Sequence, residues 1–240
     1  WNNYGIPEWV TPDDNIICIS YSGNTAETLS AAVKAHQLGC KIEIITTGGK
    51  LGELADEHNW DKTLIEKGHQ PRAALPLLLK PLLFKINIPK IDEIVEEVTK
   101  QTYDEKQIGS ISEDIADNIP CIYTEPSLEP VGYRWRCQIQ ENAKQFAVYN
   151  SFPELNHNEI ESWIDPNLFL ANKFCFIFIQ DASDHERIKK RIKISKNILN
   201  DLNHEIISIE SNKEHLSHRL LEMIILSDWT SYYLSLLNKN

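Results

Sequence analysis

The strongest constraint on this chain is an alternation: short apolar, β-branched runs are followed repeatedly by longer segments with helical spacing. "NIICIS" (15–20) gives way to "AETLSAAVKAHQLG" (26–39), closed by Gly39. "CKIEIITT" (40–47) gives way to a Gly48-Gly49 turn and a short helix ending near His58. Brief apolar runs read as strands buried on both faces, and apolar residues at i, i+3 and i+4 read as amphipathic helices. Parallel strands need long crossovers, usually helical, so the alternation predicts parallel sheets flanked by helices on both faces. "KTLIEK" (62–67) is a weaker strand, and "RAALPLLLKPLL" (72–83) predicts a buried helix kinked or broken at Pro76 and Pro81.

The alternation restarts near residue 119. "IPCIYTE" (119–125) predicts a strand, Pro130 and Gly132 a turn, and "YRWRCQIQENAKQFAVYN" (133–150) a helix. A loop "SFPELNHNE" (151–159) follows, then strand "FCFIFIQ" (174–180), a charged helix (184–202), strand "HEIISIE" (204–210) and a long apolar-faced helix (215–237). The polar amphipathic stretch before the restart reads as linking helix. This gives an α/β chain of two units: 1–89, linking helices over 90–118, and 119–240. The two share a pattern but no sequence repeat. The chain begins at Trp1 and its only methionine is Met223, so it reads as processed or partial, with the first unit incomplete.

Charge narrows the partners. A net charge of −11 and a pI near 5.2 exclude nucleic acid and anionic membranes, which demand clustered cations. One small phosphate is still compatible, because a backbone nest can hold it inside an acidic protein. No apolar run reaches the ~20 residues that span a bilayer. Five cysteines (Cys18, Cys40, Cys121, Cys137, Cys175) show no zinc-ligand spacing and read as reduced, buried thiols of a cytoplasmic protein without metal or cofactor.

One loop suggests a ligand. After the first strand the chain runs Ser20, Tyr21, Ser22, Gly23, Asn24, Thr25 into a helix. Ligands of doubly wound sheets sit at such strand ends. Small hydroxyls, a glycine and the positive end of a helix together suit an anion, most simply a phosphate. Asn24 or Thr25 could equally cap the helix, with Asn24 and Glu27 at capping-box spacing. Spacing alone leaves both readings open. It does exclude a nucleotide motif, since neither the Gly-Lys-Ser/Thr pattern nor enough glycines are present.

"ISYSGNTAETLSAA" resembles the phosphate-binding segment of sugar isomerase (SIS) domains. "YGIPEWV", "SYSGNTAETL", "GHQPRAALP", "ENAKQFA", "FPELNHNEI" and "SDWTSYYLSLL" stand in the order found in bifunctional phosphoglucose/phosphomannose isomerases. The resemblance implies two SIS-type units and a metal-independent aldose–ketose isomerase acting on a hexose 6-phosphate. It would interconvert glucose 6-phosphate, mannose 6-phosphate or both with fructose 6-phosphate through an enediolate. Residues matching the family's phosphate site are Ser20, Ser22, Gly23, Asn24 and Thr25. Glu141 in "QENAKQ" matches the base. His157, sixteen positions later, matches a histidine that assists ring opening across a homodimer interface, and Arg72 matches the arginine that stabilises the enediolate. Taken blind, Glu141 is a surface helical glutamate, His157 a backbone-bonded loop histidine, and Arg72 a partner for Asp61 or Glu66. The resemblance also implies a glycine-rich loop upstream of Trp1 and a lysine-bearing tail, which Lys239 does not match. Two alternatives therefore stand: a non-catalytic sugar-phosphate-binding SIS module, and an inactive fragment of the isomerase.

Overall fold

The computed structural model of the chain describes residues 3–101, 103–163 and 173–239. It divides into two compact units, Trp1–Ile91 and Asp92–Asn240. The first carries three parallel strands, β1 (Asn15–Ser20), β2 (Lys41–Thr46) and β3 (Asp61–Leu64), in the order β1-β2-β3. Helices α1 (Ala26–Leu38) and α2 (Gly49–His58) connect them. Ala32 and Ala35, three residues apart on α1, are fully buried with Cys18, Ile42 and Ile44 of the sheet and Leu51 of α2. Gly39 ends α1 at φ 92°, its amide donating to the carbonyls of Ala35 and His36, a left-handed stop that glycine adopts without strain.

The apolar segment after β3 differs from its expectation. A single 3₁₀ turn, Pro71–Ala73, leads into α3 (Leu75–Lys85), which runs unbroken through Pro81. Pro76 lies in the first turn, where a missing N–H costs nothing. None of the residues of α3 is fully buried.

The second unit holds β4 (Ile119–Thr124), β5 (Val148–Ser151), β6 (Phe174–Asp181) and β7 (Glu205–Ser211), all parallel in the order β5-β4-β6-β7. Its helices are α4 (Ile91–Lys100), α5 (Glu105–Ile115), α6 (Glu129–Gln138), α7 (Glu159–Ser162), α8 (Glu186–Asp201) and α9 (Leu216–Leu237). Side chains alternate along the strands. Tyr123, Phe176 and Phe178 pack with Phe152, Ile192 and Leu199 on one face. Ile122, Ile177 and Ile179 pack with Ile115, Trp135, Ile139, Met223 and Leu234 on the other. The segment expected to link two units thus folds as α4 and α5, and Ile111 and Ile115 of α5 enter the second unit's core.

Two local expectations are overturned. The helix expected over 133–150 begins earlier and stops at Ala143 with a π turn, Ile139–Ala143. Lys144 turns left-handed at φ 52°, and Val148–Ser151 becomes the edge strand β5, where the branched and aromatic Val148 and Tyr149 suit a pleated surface. Pro130 and Gly132 make no turn and lie inside α6. A Cβ on Gly132 would fall 2.5 Å from the Tyr149 ring and 2.6 Å from Thr124, so the glycine lets α6 lie close on the sheet.

Candidate active site

The carboxyl ends of β1 and β2 are zipped into one structure. Thr47 N donates to Tyr21 O (3.0 Å), Leu51 N to Gly23 O (2.9 Å) and Lys50 N to Asn24 Oδ1 (3.1 Å). Gly23 (φ 69°) is where the two loops touch: a Cβ there would lie 1.8 Å from Gly48 O. Gly49 (φ 63°) similarly faces Ser22 O, at 2.4 Å from its would-be Cβ. No side chain could replace either glycine without separating the loops.

Within this frame the expected phosphate residues stand together, though the expected cap does not form. Thr25 occupies the N-cap of α1, yet its side chain accepts no bond from the helix. Its hydroxyl is paired with Ser20 Oγ at 2.8 Å, and Ser20 Oγ also accepts from Gly23 N (3.1 Å). Asn24 is turned away, donating to Ser22 O (3.2 Å) and accepting from Lys50 N, so the capping box with Glu27 is not made. Ser22 Oγ accepts from Asn24 N at 3.1 Å and is exposed. The first turn of α1 is left without a side-chain cap, and its amides with their share of the helix dipole are the natural place for an anion.

Arg72 lies in the exposed turn Pro71–Ala73 of the same unit. Asp61 binds Lys85 Nζ at 2.8 Å, and Glu66 lies 3.8 Å from His69 Nε2.

Glu141 and His157 belong to the second unit. Glu141 sits on the π turn with its side chain exposed. Such turns, with i→i+5 bonding, are frequent at functional sites. Side chains from α9 and beside it hold this one: Ser231 Oγ accepts from Asn142 Nδ2 (2.9 Å), and Asn238 Nδ2 donates to Ala143 O (3.1 Å). Asp228 accepts from Gln138 Nε2 (2.9 Å) and from Arg134 Nη2 (2.7 Å). These fasteners were missed in the sequence; the only sign of them was polar residues set on an otherwise apolar helix. His157 ends a 3₁₀ turn, Glu154–His157, and is exposed. Its neighbours anchor the loop: Asn156 Nδ2 donates to Ser195 Oγ (3.0 Å) and Asn158 Nδ2 to Glu154 Oε1 (3.1 Å). Among the described residues no hydrogen bond joins the His157 side chain to the backbone or to Glu141.

The carboxyl end of the second sheet carries a buried cluster of a different kind. Glu125, Asp181 and Asp184 bring carboxylate oxygens within 4.8 Å of one another, all three at most 8% exposed. Buried Arg219 of α9 donates to Asp181 through Nε and to Lys213 O (2.6 Å) and Glu214 O (2.8 Å) through Nη1. Burial, with the nearby charges of Glu125 and Asp181 adding to it, pushes the Asp184 carboxyl up to about 7. The three are the only group of metal-ligand type among the described residues. Arg219 and a proton on Asp184 meet much of their charge from within. Of the cysteines, Cys18, Cys40, Cys121 and Cys175 are buried, and burial pushes the Cys18 thiol up to about 11, which makes it unreactive. No helix among the described residues is long and apolar enough to cross a membrane.

Comparison with known proteins gives the family. Residues 104–240 match the model of the bacterial phospho-glucose isomerase C-terminal SIS domain. The chain is 36% identical over 236 residues to a bifunctional phosphoglucose/phosphomannose isomerase of Aquifex aeolicus, covering 97% of this chain and 73% of that protein. It is also 36% identical over 255 residues to the protein of that name from Caldicellulosiruptor bescii, covering 99% and 75%. Among solved structures, the C-terminal domain of glucosamine-fructose-6-phosphate aminotransferase from Francisella tularensis superposes with a TM-score of 0.71 at 16% identity, over 94% of this chain and 71% of that one. The last likeness bears on the fold alone.

Proposed function

The chain belongs to the family of bifunctional phosphoglucose/phosphomannose isomerases, and on that premise we propose that it interconverts an aldose 6-phosphate, glucose or mannose, with fructose 6-phosphate through an enediolate. The observation that carries the reading is the uncapped first turn of α1. The Thr25 hydroxyl is spent on Ser20 and Asn24 on the neighbouring loop, which leaves the helix amides, with Ser22 beside them, for the phosphate ester.

The chemistry moves one proton between adjacent carbons. Glu141 takes the proton from C2 of the open-chain aldose, the C2 electron pair forms the enediolate as O1 takes up the negative charge, and the same proton returns to C1 while the hydroxyl proton of O2 passes to O1, giving the ketose. A carboxylate on an exposed turn held from behind can do this without itself being consumed. Arg72 offsets the negative charge that grows on the oxygens, and His157, able to give and take a proton near neutral pH, opens the sugar ring. The exposure of His157 suits a role across a homodimer interface. No step in this scheme calls for a metal.

The test is Glu141→Gln in the intact protein, assayed with fructose 6-phosphate. Turnover should fall by about 10²–10⁴-fold, the range for a lost general base, while phosphosugar binding by calorimetry stays near wild type. Turnover close to wild type would remove Glu141 from the mechanism. Tight phosphosugar binding with no turnover in the unaltered protein would favour a sugar-phosphate-binding module.

A further inference from the structure

We propose that Lys67, on the loop that follows β3, supplies the cationic partner of the substrate phosphate; this deepens the reading above and rests on it. A strap over residues 65–69 crosses the tips of the first sheet and is fixed on both sides of Lys67. Ile65 N donates to Thr46 O at 3.0 Å, and His69 N donates to the Tyr21 hydroxyl at 2.8 Å. Between these points the Lys67 side chain reaches back over Gly48, whose Cβ, were there one, would lie 3.4 Å from Nζ and 3.7 Å from Cε. Gly48 in turn abuts Gly23, two residues before the cap of α1. Two loops and a strap therefore bring one ammonium group to the rim of the proposed phosphate site.

No ion pair among the described residues accounts for its position there. Lys62 is paired with Asp56, and Lys85 with Glu43 and Asp61. Among the described residues no carboxylate pairs with Lys67. Its sequence neighbour Glu66 lies by His69 instead.

Charge arithmetic supplies a reason. A phosphate monoester carries about −1.5 to −2 at pH 7, and a helix N-terminus offers roughly +0.5. The hydroxyls of Ser20, Ser22 and Thr25 are neutral donors. The deficit is close to one positive charge, which a compact ammonium supplies as a point charge to phosphate. Gly48 contributes by its backbone freedom: at φ 136° and ψ −125° it takes a conformation that L residues rarely adopt, and this shapes the loop beside which Lys67 lies.

The experiment is calorimetric titration of fructose 6-phosphate and of inorganic phosphate into the intact protein and the variants Lys67→Met and Lys67→Arg, at two salt concentrations, with thermal unfolding alongside. Lys67→Met should weaken both ligands about tenfold or more, flatten the salt dependence and leave the unfolding temperature unchanged. In the isomerase assay it should raise KM and spare kcat. Lys67→Arg should restore most of the affinity. Wild-type affinity in Lys67→Met, with the unaltered protein binding both ligands, overturns the role of Lys67 and leaves the phosphate site standing. If the unaltered protein binds neither ligand, the phosphate-site reading falls and this proposal with it. A loss in Lys67→Met that Lys67→Arg does not restore overturns the charge role.

Discussion

The two sheets end in opposite ways. At the tips of β1 and β2 the side chains are hydroxyls and glycines, uncharged, with amides pointing into the site. At the tips of β4 and β6 they are carboxylates, already answered by an arginine from α9. Backbone architecture is the same in both: a parallel sheet whose strands run into helices. A sheet end is therefore only a location, and its side chains decide whether an anion is welcomed or repelled there. The acidic cluster makes the second sheet's tip a poor phosphate site, so the function read from the second unit lies instead on the π turn and the loop carrying His157.

The contrast can be broken most severely at Arg219. Arg219→Met would leave buried carboxylates without their cation and should cost the second unit about 3–5 kcal/mol, read as a lower urea midpoint. A midpoint unchanged from wild type would mean that the cluster is solvated, and the comparison would lose its basis. Asp184→Asn should act in the other direction. A folded carboxyl raised to about 7 from an unfolded value near 3.8 contributes stability that is complete below about pH 4. That contribution is lost as the pH rises towards 7, where the folded carboxyl also ionises. The variant should be more stable than wild type at pH 8, by an amount on the order of 1–3 kcal/mol, with little change between pH 5 and pH 8. Urea midpoints at the two pH values decide it, and an unaltered pH dependence would assign the titration to another group. The mildest change is Ser22→Ala, which removes an exposed hydroxyl from the neutral tip. Stability should move by less than about 1 kcal/mol, while phosphate affinity by calorimetry drops severalfold. Equal affinity would take Ser22 out of the site.

How much of this the sequence disclosed depended on whether the signal was local. β1, α1 and Gly39 were legible because apolar run, helical period and left-handed stop follow one another within 25 residues. Thr25 misled because its hydroxyl had two possible partners, and the nearer-looking helix amides lost to Ser20 five residues back. β5 was hidden because a four-residue edge strand follows a helix without a glycine or proline between them. Gly132 was misread as a turn because a close helix–sheet approach leaves the same mark in a sequence. The cluster of Glu125, Asp181, Asp184 and Arg219 gave no warning, its members lying on elements 38 residues or more apart in the case of Asp181 and Arg219. Glu141, His157 and Arg72 were nameable only through family resemblance; neither the π turn under Glu141 nor the strap that positions Lys67 has a period that could be read.

The π turn also makes chain length matter. Each residue advances a helix by about 100°, so deleting Gln140 would swing the glutamate a quarter-turn or more around its axis. Asn142 and Ala143 are bolted to Ser231 and Asn238, so the slack could not be taken up downstream. Spelling in this stretch can drift, provided the bolts stay; its letter count cannot.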